Sequence, residues 1–319
     1  MQFEEKLDVI EEDIAQYSRE LLDILLKDRT TNKNIIWATN DYSSYGALYQ
    51  ATEQIDANLI TGIYSKIIQP RVAKAHEQKN NRTRDKAEVF TPSWICNAQN
   101  NLVDERWFGR PDVFNVEKNN TWTATERVIF PEDSQHTWKN YVDARRIEVS
   151  CGEAPYLVSR YDTVTGDPIE LLSRIGLLDR KLRVVSENAP DEKEWLKWAY
   201  RAYESVYGFE FQGDNLLLAR ENLLYTFIDY MRYALKRTPT LDELKKVATI
   251  ISWNLWQMDG LTYGPPLCDI QEEVNQISMF DLMVEEPLIV QKPAQSRCKI
   301  KDWRAKVNVE YYSLVKGEL

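Results

Sequence analysis

The sequence predicts an α/β fold built on a parallel sheet, and three observations carry that expectation. Short apolar runs read as strands at "RRIEVS" (145–150), "YGFEF" (207–211) and within "SWNLWQMDG" (252–260). Between them lie helical patterns, "WLKWAYRAYESV" (195–206), "GDNLLLARENLLYTFIDYMRYAL" (213–235) and "TLDELKKVATII" (240–251). Strands that alternate with helices cannot pair through tight hairpins, so they join as crossover units with the strands parallel.

The remaining elements follow in chain order. Phe3, Leu7, Ile10, Ile14, Tyr17, Leu21, Ile24 and Leu25 recur at spacings of three and four, which predicts one long amphipathic helix over 3–28. "IIWATNDY" (35–42) is too short for such a helix and reads as a connector or short strand. Leu48, Ile55, Leu59, Ile63 and Ile67 predict a second helical stretch over 43–68, stopped by Pro70. Residues 1–80 are thus expected to form a helical N-terminal domain. Residues 81–137 form a basic linker and a proline-turn segment, with a helix beginning near Ser93 as its N-cap and a loop over 109–137. Residues 138–284 hold the sheet, with Thr240 as the N-cap of the last helix, and 285–319 form a hairpin-like tail.

Composition narrows the function. At 43% hydrophobic residues the 319-residue chain can bury a sizeable core. It has no apolar run of membrane-spanning length, and its acidic, amphipathic start is unlike a signal peptide, so a cytoplasmic protein is expected. Cys96, Cys151, Cys268 and Cys298 are far apart, and neither His76 nor His136 neighbours a cysteine; this argues against a zinc site or a histidine-based triad. A net charge of −10 does not suit unaided DNA binding. Residues 66–86 are locally basic, however, and include Lys74, Lys79, Arg82 and Arg84. They read as a solvated helix and linker or, alternatively, as a segment touching a nucleic-acid backbone.

The candidate site is a set of three positions at successive strand ends. Cys151-Gly152-Glu153 follows the first strand, Glu210 ends the second, and Asp259 follows the third. Ligands of open α/β sheets bind at these carboxyl ends. A tight glycine turn admits close backbone approach, an acid on the next strand suits ribose hydroxyls, and a third acid suits an exocyclic amine. In "CGEAP" the second glycine usual for a phosphate loop is replaced by Ala154, with Pro155 after it, and a helix is expected to follow. Trp253 and Trp256 read as core or interface residues, and Arg145 and Arg146 as surface charges.

Four segments in order resemble amino-group DNA methyltransferases of the N6-adenine type found in restriction–modification systems. "AEVFTPSWICNAQNNLVD" looks like their FTP motif, "IEVSCGEAPYLVSRYD" is similar to the first cofactor motif, "VYGFEFQGDNLLLAREN" to the second, and "NLWQMDGL" to the third. The resemblance covers residues 87–261 and implies a Rossmann-like sheet that binds S-adenosylmethionine. It implies that Phe90, Thr91 and Pro92 cover the methionine end of the cofactor, that Cys151, Gly152 and Glu153 line the loop beneath it, that Glu210 holds the ribose and Asp259 the adenine. S-adenosylmethionine has no phosphate, so the loop need not form an anion nest.

The family's target-amine motif, [DNS]PPY, is missing. "YGPPL" (263–267) lacks the polar first residue and the aromatic, and "FDLMVEEPL" (280–288) has Glu285-Glu286-Pro287-Leu288 where the motif should stand. The catalytic residues are therefore not identifiable. Three functions remain open. The chain is the cofactor-binding half of a split adenine methyltransferase, completed by a second methyltransferase or specificity polypeptide that brings it to DNA. Or it is a non-catalytic binding protein, such as a phage or mobile-element inhibitor of a restriction or CRISPR defence nuclease complex. Or it is a self-sufficient methyltransferase for a small or RNA substrate.

Overall fold

A computed structural model of the chain describes residues 11–74, 91–268 and 297–317. Its centre is a three-stranded parallel sheet of β3 (Arg146–Val149), β4 (Val206–Glu210) and β5 (Leu255–Gln257), in that spatial order. The β3–β4 crossover runs through α5 (Leu177–Asn188) and α6 (Glu192–Glu204), and the β4–β5 crossover through α7 (Gly213–Leu235) and α8 (Leu241–Asn254). The expected alternation of strands and helices is thus realised as a mixed α/β fold. Thr240 caps α8 with a full capping box: its side chain accepts from Glu243 N while the Glu243 carboxylate accepts from Thr240 N.

The two sheet faces are covered differently. Helices α6, α7 and α8 pack against one face. On the other, Tyr207, Phe209, Trp256 and Met258 meet Cys298 and Ile300 of the tail. That tail is the expected hairpin, β6 (Lys299–Asp302) paired antiparallel with β7 (Val307–Glu310), followed by the short helix α9 (Tyr311–Lys316). β3 pairs only with β4 among the described residues, and its Ile147 and Val149 are 43% and 63% exposed.

Several elements differ from expectation. The long N-terminal helix is broken into α1 (Glu11–Tyr17) and α2 (Arg19–Leu26), because Ser18 adopts an extended conformation and caps α2 through a bond from Leu21 N. Residues 43–68 form short 3₁₀ turns at 43–45, 47–49, 57–59 and 62–64 in place of an α-helix. Gly46 and Gly62 have positive φ, and Asp56 bonds its own chain at Asn58 N, so both residue types draw the backbone into turns. Ile14, Leu21, Ile55 and Ile60 belong to the same hydrophobic cluster as the sheet helices, so residues 11–74 share the core of the sheet.

In the expected 109–137 loop, β1 (Asn115–Lys118) and β2 (Thr121–Ala124) form a hairpin across Asn119-Asn120, both with positive φ. Helix α3 (Ser93–Phe108) has Pro92 rather than Ser93 at its N-cap position; Asp162 satisfies Ser93 N at 2.9 Å. A short helix, α4 (Trp138–Asp143), precedes β3. No α-helix directly follows "CGEAP": residues 151–176 are turns and irregular chain with one short 3₁₀ turn at 171–173, and the next α-helix starts at Leu177.

Candidate cofactor site at the strand ends

Three residues that bend the chain follow β3. Ser150 (φ 52), Gly152 (φ 53) and Ala154 (φ 63) all lie in the left-handed region. For Ser150 and Ala154 this conformation costs energy that glycine would avoid, and such strain persists only where surrounding contacts hold it. Here the contacts are explicit. Cys151 N donates to Phe209 O at 2.8 Å, and Ala154 N to Cys151 O at 2.7 Å. Asn222 on α7 donates to Glu153 O at 3.2 Å. Ala154 thus takes the turn that a second glycine would have taken.

Glu210 locks this loop to the sheet. It ends β4, is 7% exposed, and accepts from Gly152 N at 2.8 Å and Gln212 N at 3.1 Å. Burial raises its pKa above the ordinary carboxylate value, partly offset by the bonds from Gly152, Gln212 and Phe211. An ionised carboxylate has about four acceptor sites, so these three backbone donors leave capacity for one further donor such as a ribose hydroxyl. Met258 N donates to Glu210 O at 3.0 Å, which sets Asp259 beside the end of β4. Asp259 accepts from Leu261 N at 2.8 Å and remains partly exposed.

The other site residues fall into distinct places. Glu153 is 2% exposed and accepts from Arg71 N and from the Tyr161 hydroxyl, both at 2.6 Å, which makes it a strut of the loop. Cys151 is buried against Gly208, and burial pushes its thiol pKa well up, so it packs and does not react. Thr91 O accepts from the Thr163 hydroxyl at 3.2 Å, and Pro92 opens α3 beside Asp162, so this pair abuts the far end of the same loop. Phe90 lies outside the described residues, as do Lys79, Arg82 and Arg84. Lys74 is buried, with its ammonium 3.2 Å from Asp214 Oδ2. The residue expected to face a nucleic-acid backbone is instead an internal ion pair at the start of α7, because the chain up to residue 74 folds onto the sheet.

Sequence reasoning missed the roof over the strand ends. Gln257, the last residue of β5, clamps the Ile36 peptide, accepting from Ile36 N at 2.9 Å and donating to Ile36 O at 2.8 Å. Trp37 O accepts from Gly213 N at 3.3 Å. A Cβ on Gly213 would stand 2.0 Å from Ile36 O, so glycine is needed where α7 meets this segment. The signal available was a polar Gln closing the apolar run "NLWQ". A cavity of about 190 Å³ opens beside this roof, lined by Ile36, Gln54, Gln257, Pro265, Pro266 and Cys268 among others.

Among the described residues no group of three or more His, Cys, Asp or Glu side chains is placed to hold a metal, and no helix is long and apolar enough to cross a membrane. The ends of the three parallel strands carry the Gly152 turn, Glu210 and Asp259. No family model, curated protein or solved structure matches the chain.

Proposed function

We propose that the chain is the S-adenosylmethionine-binding component of an N6-adenine DNA methyltransferase, completed by a second polypeptide that supplies the target-amine acceptor and DNA recognition. The observation that carries this reading is Glu210. A buried carboxylate at the end of the central strand grips the backbone of the glycine turn and retains acceptor capacity, with Asp259 on the adjoining strand end. Those are the groups needed to hold a nucleoside without a phosphate.

The cofactor supplies the methyl group when bound. The chain's own residues do the positioning. Glu210 would accept from a ribose hydroxyl and Asp259 from the adenine amine, and the turn at Gly152 would line the cofactor from beneath. Thr91 and Pro92 border the same loop. Nothing in the sequence replaces [DNS]PPY, which would accept hydrogen bonds from the target amine of a flipped base. Methylation accordingly requires a partner.

Titration calorimetry with S-adenosylmethionine tests the reading. The expected result is saturable binding by the wild-type chain and at least tenfold weaker binding by Glu210→Gln, which retains shape but loses the charged acceptor. No heat from folded wild-type protein sinks the proposal and favours the non-catalytic binding protein.

A further inference from the structure

Two short segments far apart in sequence meet beside the outer edge of β5. One is the turn "KDRTTNK" (27–33), the other the start of the tail hairpin, "RCKIK" (297–301). Lys299 N donates to the Thr30 hydroxyl at 3.0 Å, and Arg29 Nε to the Ser252 hydroxyl at 2.9 Å. Trp253 stands between them. The Arg29 guanidinium lies 5.8 Å from its ring centre and the Lys301 ammonium 5.5 Å; Lys301 is also 4.8 Å from the Trp303 ring. Trp303 is itself fixed by a bond to Asn254 Oδ1 at 2.7 Å.

The charge here runs against that of the chain as a whole, which carries a net −10. Arg29, Lys33, Lys299 and Lys301 make no salt bridge among the described residues, although the Asp28 carboxylate acts on Arg29 through space. Asp28 is buried, with its oxygens turned to Thr30 N, Thr31 N and the Thr31 hydroxyl. Glu310 lies across the ladder from Lys299 and offsets part of its charge. The patch also reaches the strand ends, because Asp28, Thr31 and Lys33 line the same cavity as Gln257.

We propose that this surface, centred on Arg29, Lys299 and Lys301, contacts the phosphate backbone of duplex DNA. Arg29 and Lys301, held over indole rings, stay ordered and partly desolvated, so they lose little freedom when a phosphate arrives, and Lys299 stands beside them. The proposal rests on the methyltransferase reading for the choice of DNA among polyanions.

Fluorescence anisotropy with a labelled 30-base-pair duplex tests it across 50 to 200 mM salt. Three phosphate contacts make wild-type binding weaken by about 40-fold over that range. The variant R29Q/K299Q/K301Q should lose most of that salt dependence and bind at least tenfold more weakly at 100 mM. R29K/K299R/K301R should retain both, and a control altering Lys118, Lys139 and Lys193 should match wild type; circular dichroism confirms that each variant is folded. Absence of duplex binding, equal loss in the control, or binding of anionic vesicles or single-stranded RNA in place of duplex overturns the proposal. Cofactor calorimetry on the same samples separates the two ideas: salt-dependent duplex binding without cofactor binding sinks the methyltransferase reading and leaves the DNA surface standing.

Discussion

Asp179 shows how one buried group couples this fold to pH. It sits in the first turn of α5 and is fully buried, accepting from Ser159 N at 2.7 Å and from the Ser159 hydroxyl. Ser159 in turn accepts from Ile175 N and Gly176 N, so the pair stitches the irregular 151–176 stretch to the helix that follows. Burial raises the Asp179 pKa from 3.8 to about 6, with Arg174 pulling the other way. A raised carboxyl pKa means that the folded state binds the proton more tightly than the unfolded state. The associated stability is complete below about pH 4 and is lost as pH rises through about 6. The loss is on the order of 3 kcal/mol. Asp179→Asn should lack it, so denaturant melts of variant and wild type should diverge in the variant's favour between pH 4 and 7. A constant difference across that window would refute this role. Glu210 shares the direction of shift, and cofactor binding should weaken on acidification at a higher pH than an ordinary glutamate would dictate.

Elements are decided here by turn chemistry more than by periodicity. The β1–β2 hairpin turns on Asn119-Asn120, and two-residue loops with both φ positive favour Asn-Gly. Asn120→Gly should therefore stabilise the protein by about 0.5 kcal/mol in thermal melts, since glycine reaches that conformation without a Cβ penalty. Gly176 makes the opposite case. A Cβ there would lie 2.3 Å from Leu157 O, and Leu178 N donates to that same carbonyl at 2.8 Å. Gly176→Ala should cost about 2 to 3 kcal/mol, read as a lowered denaturation midpoint with an unchanged slope. In 43–68 the apolar spacing was helical, yet Gly46 and Gly62 at positive φ and the Asp56 turn outweighed it.

At the scale of the whole molecule, the buried cation Arg220 ties three distant segments together. Arg220, in the middle of α7, donates to Leu255 O at 3.0 and 2.6 Å, to Ser252 O at 3.4 Å and to Lys27 O at 3.1 Å, and also to Leu25 O. It thereby joins the end of α2, the end of α8 and the start of β5. Burial pulls its pKa down to about 9. Arg220→Met would leave those carbonyls buried without donors and should cost about 3 kcal/mol or more, seen in the urea midpoint. At the far side of the sheet, β3 pairs only with β4 among the described residues, and its Ile147 and Val149 are exposed. An edge of that kind is a place where a further strand can pair, and the second polypeptide proposed above would have to cover it.

The alternation of short strands with long helices was legible because it depends on local patterns: "RRIEVS", "YGFEF" and the capped "TLDEL" carry their periods and end signals within a few residues. The nearness of Gly152, Glu210 and Asp259 was legible for the same reason, since parallel strands bring their carboxyl ends together wherever they pack. The Gln257 roof, the burial of Lys74 against Asp214 and the basic surface shared by residues 27–33 and 297–301 were not. Each depends on segments up to 270 residues apart meeting through packing, as with Thr30 and Lys299. Whether a charged side chain faces solvent or a buried partner is set by that packing, and no local pattern encodes it.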